Sequence, residues 1–163
     1  MTVTDDLLRN NAEFAKSFSK GDLPMPPSKA LAVVACMDAR LNVYALLGLE
    51  EGEAHVIRNA GGVVSDDVLR SLVISQRLLG TREVILVHHT DCGMLTFKDD
   101  AVKADIEAET GLRPPFALEA FADPEQDVRQ SIARIKASPF VPRTDAVRGF
   151  VFDVRTGALR EVT

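Results

Sequence analysis

The sequence has no tryptophan, one tyrosine and only two cysteines in 163 residues. Two cysteines are too few for the disulfide framework that stabilises small secreted domains. No apolar run approaches the roughly 20 residues that a membrane-spanning helix needs, and the first eight residues lack the basic and apolar regions of a signal peptide. We therefore expect a cytoplasmic protein without a membrane partner. In that compartment, a pair of cysteines more often serves metal binding or catalysis than a disulfide.

A basic surface is also missing, because 24 acidic residues outnumber 19 lysines and arginines and give a net charge of −5. This balance argues against a general affinity for nucleic acid. The expected partners are small molecules or copies of the same chain. Hydrophobic residues make up 46% of the sequence, which is the apolar content of one globular domain, so we predict a single domain over 1–163.

The first 28 residues are predicted to differ from the rest. Apolar residues recur at three- and four-residue spacing over 4–18, which predicts an amphipathic helix with Thr4 or Asp5 as its N-cap. Three prolines within 24–27 exclude a helix there and predict an extended connector. We expect the connector to carry this helix onto a neighbouring subunit, and residues 29–163 to form an α/β core.

In the rest of the chain, short apolar runs alternate with amphipathic segments. Continuous apolar runs of strand length predict strands buried on both faces, as in a parallel sheet. The predicted strands cover 30–36, 54–58, 82–88 and 149–154, with a hairpin return at 158–162. The predicted helices cover 43–47, 65–79, about 98–110 and 125–137, with Pro114, Pro115 and Pro124 in a loop between the last two. The prediction is an α/β fold: an open, mainly parallel β-sheet of about four strands plus a short antiparallel edge strand, flanked by helices.

Residues with metal-binding chemistry follow the carboxyl ends of these strands. Cys36 ends the first predicted strand, Gly61 follows the second, and His89 and Cys92 follow the third. In open parallel sheets, functional groups gather at the carboxyl ends of the strands, where the strand order reverses. If the first and third strands are neighbours, Cys36, His89 and Cys92 meet in one crevice.

Together with Asp38, these residues offer the donor atoms that Zn²⁺ prefers. Three protein ligands leave the fourth position to water or to the Asp38 carboxylate, and a site that can open is typical of catalytic zinc. One alternative is that both cysteines are core residues and His89 is a satisfied loop histidine. Another is a redox pair, against which stands the absence of a Cys-x-x-Cys motif.

Three motifs, in this order, resemble those of the β-class carbonic anhydrases, in particular the short bacterial members. They are Cys-x-Asp-x-Arg at 36–40, Arg-Asn-Ala-Gly at 58–61 and His-x-x-Cys-Gly at 89–93. The resemblance is dense over roughly residues 30–95. It implies that Cys36, His89 and Cys92 bind zinc and that Asp38 and Arg40 form a dyad beside the metal. It also implies an enzyme that interconverts CO₂ and bicarbonate as a homodimer or homotetramer.

A supporting loop is expected around the second motif. Arg58 is expected to hold this loop, and Asn59, Gly61 and Gly62 are expected to bring its backbone close to the metal crevice. Gly62 departs from the family pattern, in which a polar residue commonly follows the first glycine. A glycine-rich turn could also bind phosphate, but no Walker-type lysine follows it. Gly93 completes the third motif.

The expected chemistry is the attack of a zinc-bound hydroxide on the carbon of CO₂. Two thiolates offset the charge of the metal, so the bound water should be less acidic than one held by three neutral histidines, and activity should rise at alkaline pH. Asp38 has two expected states: it ligates zinc and excludes water, or it pairs with Arg40 and accepts a hydrogen bond from the hydroxide. Arg40 is therefore the expected latch.

Three further residues have suitable chemistry. His88 is expected to face away from the metal, because neighbouring residues on a strand face opposite sides, although the sequence leaves open an exchange of roles with His89. His55 and Tyr44 can relay protons, but packing or surface roles are expected for both. The proton shuttle stays unassigned.

Two alternative functions also stay open. Carbonyl sulfide and carbon disulfide are linear apolar analogues of CO₂, and relatives of the β-class carbonic anhydrases hydrolyse them, so the same scaffold could act on either. In a non-catalytic zinc domain, Cys36, Asp38, His89 and Cys92 would instead close a four-ligand site permanently.

Overall fold

The computed structural model describes residues 2–163, which contain one sheet of five strands. The strands are β1 Leu31–Cys36, β2 Ala54–Asn59, β3 Glu83–His89, β4 Val147–Phe152 and β5 Leu159–Val162. Their order in the sheet is β2-β1-β3-β4-β5. The first four pair in parallel, and β5 pairs antiparallel with β4 at the edge. The predicted fold class is confirmed.

Within residues 2–163, one α-helix precedes the first strand, and four α-helices and two short 3-10 turns lie between the strands. The helices are α1 Val3–Ser17, α2 Val43–Leu47, α3 Asp66–Arg77, α4 Asp99–Thr110 and α5 Pro124–Ala137. The 3-10 turns are Ala60–Gly62, directly after β2, and Gly93–Leu95, shortly before α4. No helix within residues 2–163 is long and apolar enough to cross a membrane.

Both faces of the sheet are buried, which is why its central strands are almost wholly apolar. All six residues of β1 are buried. On one face, Val34 packs in a cluster with Leu72 of α3 and Ile135 of α5. On the other face, Val33 packs in a cluster with Leu41 and with residues of the loops that follow the strands. The alternation follows from the period of two along a strand.

The direction in which successive strands are added to the sheet reverses between β1 and β3. From β1 the chain moves to β2 on one side, and β3 then pairs with the opposite side of β1, in a register that runs from Leu31–Glu83 to Ala35–Val87. Parallel neighbours end at the same edge of the sheet, so the loops after β1 and β3 share one crevice.

Two helix boundaries differ from the sequence-based prediction. The N-cap of α1 is Thr2 instead of Thr4 or Asp5, because Thr2 and Asp5 form a capping box in which each side chain accepts a hydrogen bond from the backbone N–H of the other. Pro124 is the first residue of α5 instead of a loop residue. A proline is favourable there, because a residue at the first helical position has no carbonyl within the helix to donate to, and proline lacks the N–H that would be left unpaired.

The ends of α3 and β4 also differ. Helix α3 stops at Arg77, two residues earlier than predicted, and Gly80 turns the chain with φ 78°. Strand β4 covers Val147–Phe152 instead of 149–154, because its ladder with β3 runs from Val84–Val147 to His89–Phe152. Sequence periodicity alone does not show where the partner strand begins and ends.

Helix α1 stands apart from the core. None of residues 3–17 is buried, although Val3, Leu7 and Phe14 lie on one side of the helix at three- to four-residue multiples. That α1 packs on a neighbouring subunit stays a prediction.

Candidate metal centre

Three side chains converge at the shared edge of β1 and β3. Cys36 is the last residue of β1, His89 is the last residue of β3, and Cys92 follows in the next loop. One donor atom from each residue lies within 4.8 Å of the others. The two cysteines are 4% exposed and His89 is 0% exposed, so the cluster is shielded from bulk water.

The geometry of this cluster fits a metal ion. The two sulfur atoms are 4.0 Å apart, about twice the length of a disulfide bond of ~2.05 Å. Nδ1 of His89 lies 2.8 Å from the carbonyl oxygen of Thr90, to which it donates, whereas Nε2 is buried without a hydrogen-bond partner in residues 2–163. A backbone carbonyl on one ring nitrogen commonly orients a histidine whose other nitrogen binds metal.

The pKa shifts of the two thiols also favour the binding of a cation. The hydrogen bond from Cys92 lowers the pKa of the Cys36 thiol, against the opposing effect of burial. The same contact, together with burial, raises the pKa of the Cys92 thiol. The protein by itself therefore stabilises one negative charge here and resists a second. A divalent cation is the natural complement of two adjacent buried thiolates, because it favours the deprotonated form of both.

The Asp38 carboxylate lies beside the cluster but is bonded to Arg40. Its Oδ1 accepts from Arg40 Nε at 2.9 Å and from the Arg40 backbone N–H at 2.8 Å, and its Oδ2 accepts from Nη2 at 2.8 Å. Oδ2 is also 3.7 Å from His89 Nε2. The Arg40 guanidinium holds the pKa of Asp38 well below its usual range. The carboxylate is therefore charged, and Arg40 occupies both of its oxygens.

Arg40 has a second carboxylate partner, Asp91, which the sequence-based prediction did not include. Nη1 donates to Asp91 Oδ2 and Nη2 to the Asp91 backbone carbonyl, each at 2.8 Å. Asp91 has φ 54°, a left-handed conformation that aspartate tolerates better than most residues. Its position between His89 and Cys92 was the available signal, because the turn between two ligands lies at the rim of the site.

The predicted supporting residues contact the backbone around the cluster. Arg58 donates through Nε and Nη2 to the Cys36 carbonyl at 2.9 and 2.7 Å, and through Nη2 to the Asp38 carbonyl at 2.8 Å. Asn59 donates through Nδ2 to the Val63 carbonyl at 2.9 Å. Arg58 thus lies where it holds the loop that presents Cys36 and Asp38.

The glycines of the supporting loop allow a close backbone approach. Gly62 has φ 68°, and a Cβ there would lie 2.8 Å from the backbone nitrogen of Cys36. Gly61 has φ 83°, and its Cβ would meet Met94 at 3.0 Å. A Cβ at Gly93 would meet nothing within 4 Å, so Gly93 has no steric role of this kind.

A largely apolar cavity of about 430 Å³ opens onto the cluster of Cys36, His89 and Cys92. Its wall includes Cys36, Cys92 and Asp38, and also Met94, Phe97 and Leu118. The last three were not predicted, because they come from loops whose positions depend on tertiary contacts. A cavity of this kind suits a small apolar molecule.

The remaining chemically suitable residues lie elsewhere. His88 Nε2 is 2.6 Å from Asp127 Oδ2 of α5, on the opposite side of β3 from His89. His55 Nδ1 is 2.8 Å from the Ser75 hydroxyl and lines a separate cavity beside α3. Tyr44 is 40% exposed on α2.

Comparison with known proteins assigns the family. The chain is 66% identical over 163 residues to Beta-carbonic anhydrase 1 of Mycobacterium tuberculosis, covering 100% of this chain and 99% of that protein. The carbonic anhydrase family model matches residues 31–114. The chain belongs to the carbonic anhydrase family. The resemblance predicted from the three motifs is therefore confirmed.

The chain is also similar to two other proteins, one a solved carbonic anhydrase and the other a carbon disulfide hydrolase. The crystal structure of carbonic anhydrase from Streptococcus mutans superposes with a TM-score of 0.93 and 40% identity, covering 100% of this chain and 99% of that chain. Carbon disulfide hydrolase of Acidithiobacillus thiooxidans is 34% identical over 157 residues, covering 83% of this chain and 78% of that protein. The fold is thus related to proteins named for two different substrates.

Proposed function

We propose that this protein catalyses the reversible hydration of CO₂ to bicarbonate and a proton, at a zinc ion held by Cys36, His89 and Cys92. The observation that carries the proposal is the cluster of three buried donor atoms within 4.8 Å of one another, at the wall of an apolar cavity. The close relationship to a protein named as a β-carbonic anhydrase supports the same substrate.

Zinc is the metal that the donor set favours, because two thiolates and one imidazole suit this ion and leave a fourth position open. When bound, zinc would supply Lewis-acid activation of a water molecule as the nucleophile. The protein supplies the buried environment, the orientation of His89 through Thr90, and the nearby Asp38 carboxylate.

Asp38 and Arg40 control access to the fourth position. The three hydrogen bonds from Arg40 keep Asp38 out of the ligand set, and a charged Asp38 can accept a hydrogen bond from the attacking water and orient it. Asp91 holds Arg40 from the other side. In the proposed supporting role, Arg58, Asn59, Gly61, Gly62 and Gly93 maintain the loops that carry Cys36 and Cys92.

Hydrolysis of carbon disulfide or carbonyl sulfide is the second candidate. It is supported by the relationship to carbon disulfide hydrolase of Acidithiobacillus thiooxidans and by the apolar cavity, which also suits these linear molecules. The 34% identity to that protein against 66% to the β-carbonic anhydrase favours CO₂. A permanently closed four-ligand zinc site is less compatible with the two Asp38 oxygens bonded to Arg40.

The test compares two substrates on one zinc-loaded sample. Stopped-flow proton release measures CO₂ hydration, and sulfide release measures hydrolysis of carbonyl sulfide. We expect CO₂ hydration to be much the faster, and we expect Cys92→Ser to lose both zinc and activity. Sulfide release without CO₂ hydration would favour the second candidate, and a fully zinc-loaded protein inactive on both would favour a structural site.

We also propose that the protein acts as a homodimer or homotetramer in the cytoplasm. The apolar side of α1, which the chain itself does not bury, supports self-association. The two free, closely spaced cysteines suit a reducing compartment.

A further inference from the structure

Residues 118–122, here called the wall segment, pass the cavity over the metal centre with one side chain, Leu118, in its wall. Leu118 lines the 430 Å³ cavity. Other residues of the same segment line two further cavities of about 350 and 240 Å³. None of residues 118–122 is buried. At the far end of the wall segment, Phe121 packs against a core cluster and donates its backbone N–H to the Met94 carbonyl at 3.4 Å. Leu118 lies three residues earlier, in the wall of the first cavity, so its position needs a further contact.

One carboxylate holds the wall segment by three hydrogen bonds. Asp99 Oδ2 accepts from the backbone N–H groups of Leu118 at 2.8 Å and Glu119 at 3.0 Å, and Oδ1 accepts from that of Ala120 at 2.9 Å. Glu119 has φ 63°. This left-handed residue turns consecutive N–H groups toward one side, as in the backbone concavities that bind anions.

The Asp99 side chain bonds to the backbone of the wall segment and not to that of its own helix. It is the first residue of α4, whose N-cap Lys98 makes no side-chain capping bond. Burial opposes the charge on Asp99, but the three backbone hydrogen bonds outweigh burial and lower its pKa. Helix α4 has no buried residue within 99–110. The three hydrogen bonds of Asp99 therefore link the start of α4 to the part of the wall segment that carries Leu118.

We propose that Asp99 is a positioning residue for substrate binding: it fixes Leu118 as the cavity wall that confines a linear triatomic substrate beside the metal centre. This inference rests on the proposed function for the identity of the substrate. Asp99 touches neither the cavity centre nor the metal ligands, so its effect on the reaction passes through the position of Leu118.

The decisive variant is Asp99→Asn, which preserves shape and removes one acceptor. Both carboxylate oxygens are in use, so the amide NH₂ of asparagine must face at least one backbone N–H in either orientation. Asp105→Asn is the matched control, because Asp105 is exposed on the same helix and the change in charge is identical. Leu118→Ala removes the wall directly.

On the zinc-loaded enzyme, we expect Asp99→Asn to raise KM for CO₂ about 3–10-fold with kcat nearly unchanged, since it weakens confinement and leaves the reacting groups in place. Leu118→Ala should have a similar effect. The double variant should be no worse than Leu118→Ala alone, because the two changes act on one contact. Asp105→Asn should match the unaltered enzyme, and all variants should keep one zinc per chain.

Hydrogen exchange supplies a readout that does not depend on turnover. The amides of 118–120 should exchange faster in Asp99→Asn than in Asp105→Asn. Faster exchange with an unchanged KM would overturn the proposal, as would an unchanged exchange rate or an equal rise of KM in the control. A wild-type enzyme inactive on CO₂ would instead contradict the proposed function. The variants would then be compared by the affinity of the cobalt-loaded protein for thiocyanate, a linear triatomic anion, and equal affinities would overturn the inference.

Discussion

At the scale of single residues, the centre depends on one arginine between two carboxylates. Arg40 makes three hydrogen bonds to Asp38 and two to Asp91. A guanidinium has five N–H donors in a fixed planar arrangement, so it can hold both partners at once in a way that lysine cannot. The orientation of Asp38 is therefore set from the rim of the site as well as from the loop after β1.

Arg40→Ala tests this arrangement. Without the guanidinium, Asp38 is free to turn toward the metal and occupy the fourth position, so we expect CO₂ hydration to fall by about 10–100-fold. The visible spectrum of the cobalt-loaded variant should also lose its response to added anions. Arg70→Ala, which removes an exposed arginine from α3, is the control and should leave both unchanged. Unaltered turnover in Arg40→Ala would refute the latch.

The pH dependence is a second prediction at this scale. The pKa of Asp38 is lowered in the folded protein, so its charge is fully present above the ordinary aspartate pKa and is lost only as the pH falls through the lowered value. Asp38 should therefore add no step between about pH 6 and 9. The rise in kcat that we expect toward alkaline pH follows from the two thiolate ligands. A pH–rate profile with full activity well below pH 7 would contradict this.

At the scale of elements, the site depends on how closely the turn after β2 approaches the end of β1. Gly62 and Gly80 both have a left-handed φ, of 68° and 78°. A Cβ at Gly62 would lie 2.8 Å from the Cys36 backbone nitrogen, whereas a Cβ at Gly80 would meet nothing within 4 Å. Alanine at Gly80 therefore tests the conformational penalty alone, whereas alanine at Gly62 adds a steric clash to the same penalty.

Gly62→Ala and Gly80→Ala should therefore differ. Both substitutions carry the left-handed penalty of about 1–2 kcal/mol, but only Gly62→Ala also displaces the backbone at Cys36. We expect Gly62→Ala to lower the free energy of unfolding by clearly more than Gly80→Ala and to reduce zinc affinity, measured by urea denaturation and by competition with a chelator. Equal losses of stability and intact zinc binding in both variants would contradict the close approach.

The sequence predicts elements well where local patterns and burial agree. The apolar run that ends at Cys36 and the run before His89 are buried strands, and the motif residues at their ends meet because these strands are neighbours. The contact of Asp91 with Arg40 and the position of Leu118 were not predictable from such patterns, although the place of Asp91 between His89 and Cys92 was a signal for the first. They depend on contacts between distant loops, such as the one between Asp99 and the wall segment, which leave no periodic pattern in the sequence.

At the scale of the whole chain, α1 has an apolar side that the chain itself leaves exposed. Leu7 is 60% exposed and Phe14 is 53% exposed on the same side of the helix. Fully burying side chains of this size contributes about 1.5–3 kcal/mol each. A second copy of the chain is the partner that we propose for this surface.

A charge on this apolar side should weaken self-association. We expect the double variant Leu7→Glu/Phe14→Glu to have a smaller mass than the unaltered protein in size-exclusion chromatography with light scattering. Ala12→Glu places one glutamate on the other side of α1 and should leave the mass unchanged. An unaltered mass in the double variant would show that α1 does not hold the subunits together.

We expect CO₂ hydration to require one metal ion at Cys36, His89 and Cys92. The most direct measurement is the initial rate of CO₂ hydration as zinc is titrated into the metal-free protein. We predict that the rate rises in proportion to bound zinc and saturates at one zinc per chain, and that Cys92→Ser shows no such rise. Binding of one zinc per chain without any CO₂ hydration would show that zinc at this site does not serve CO₂ hydration.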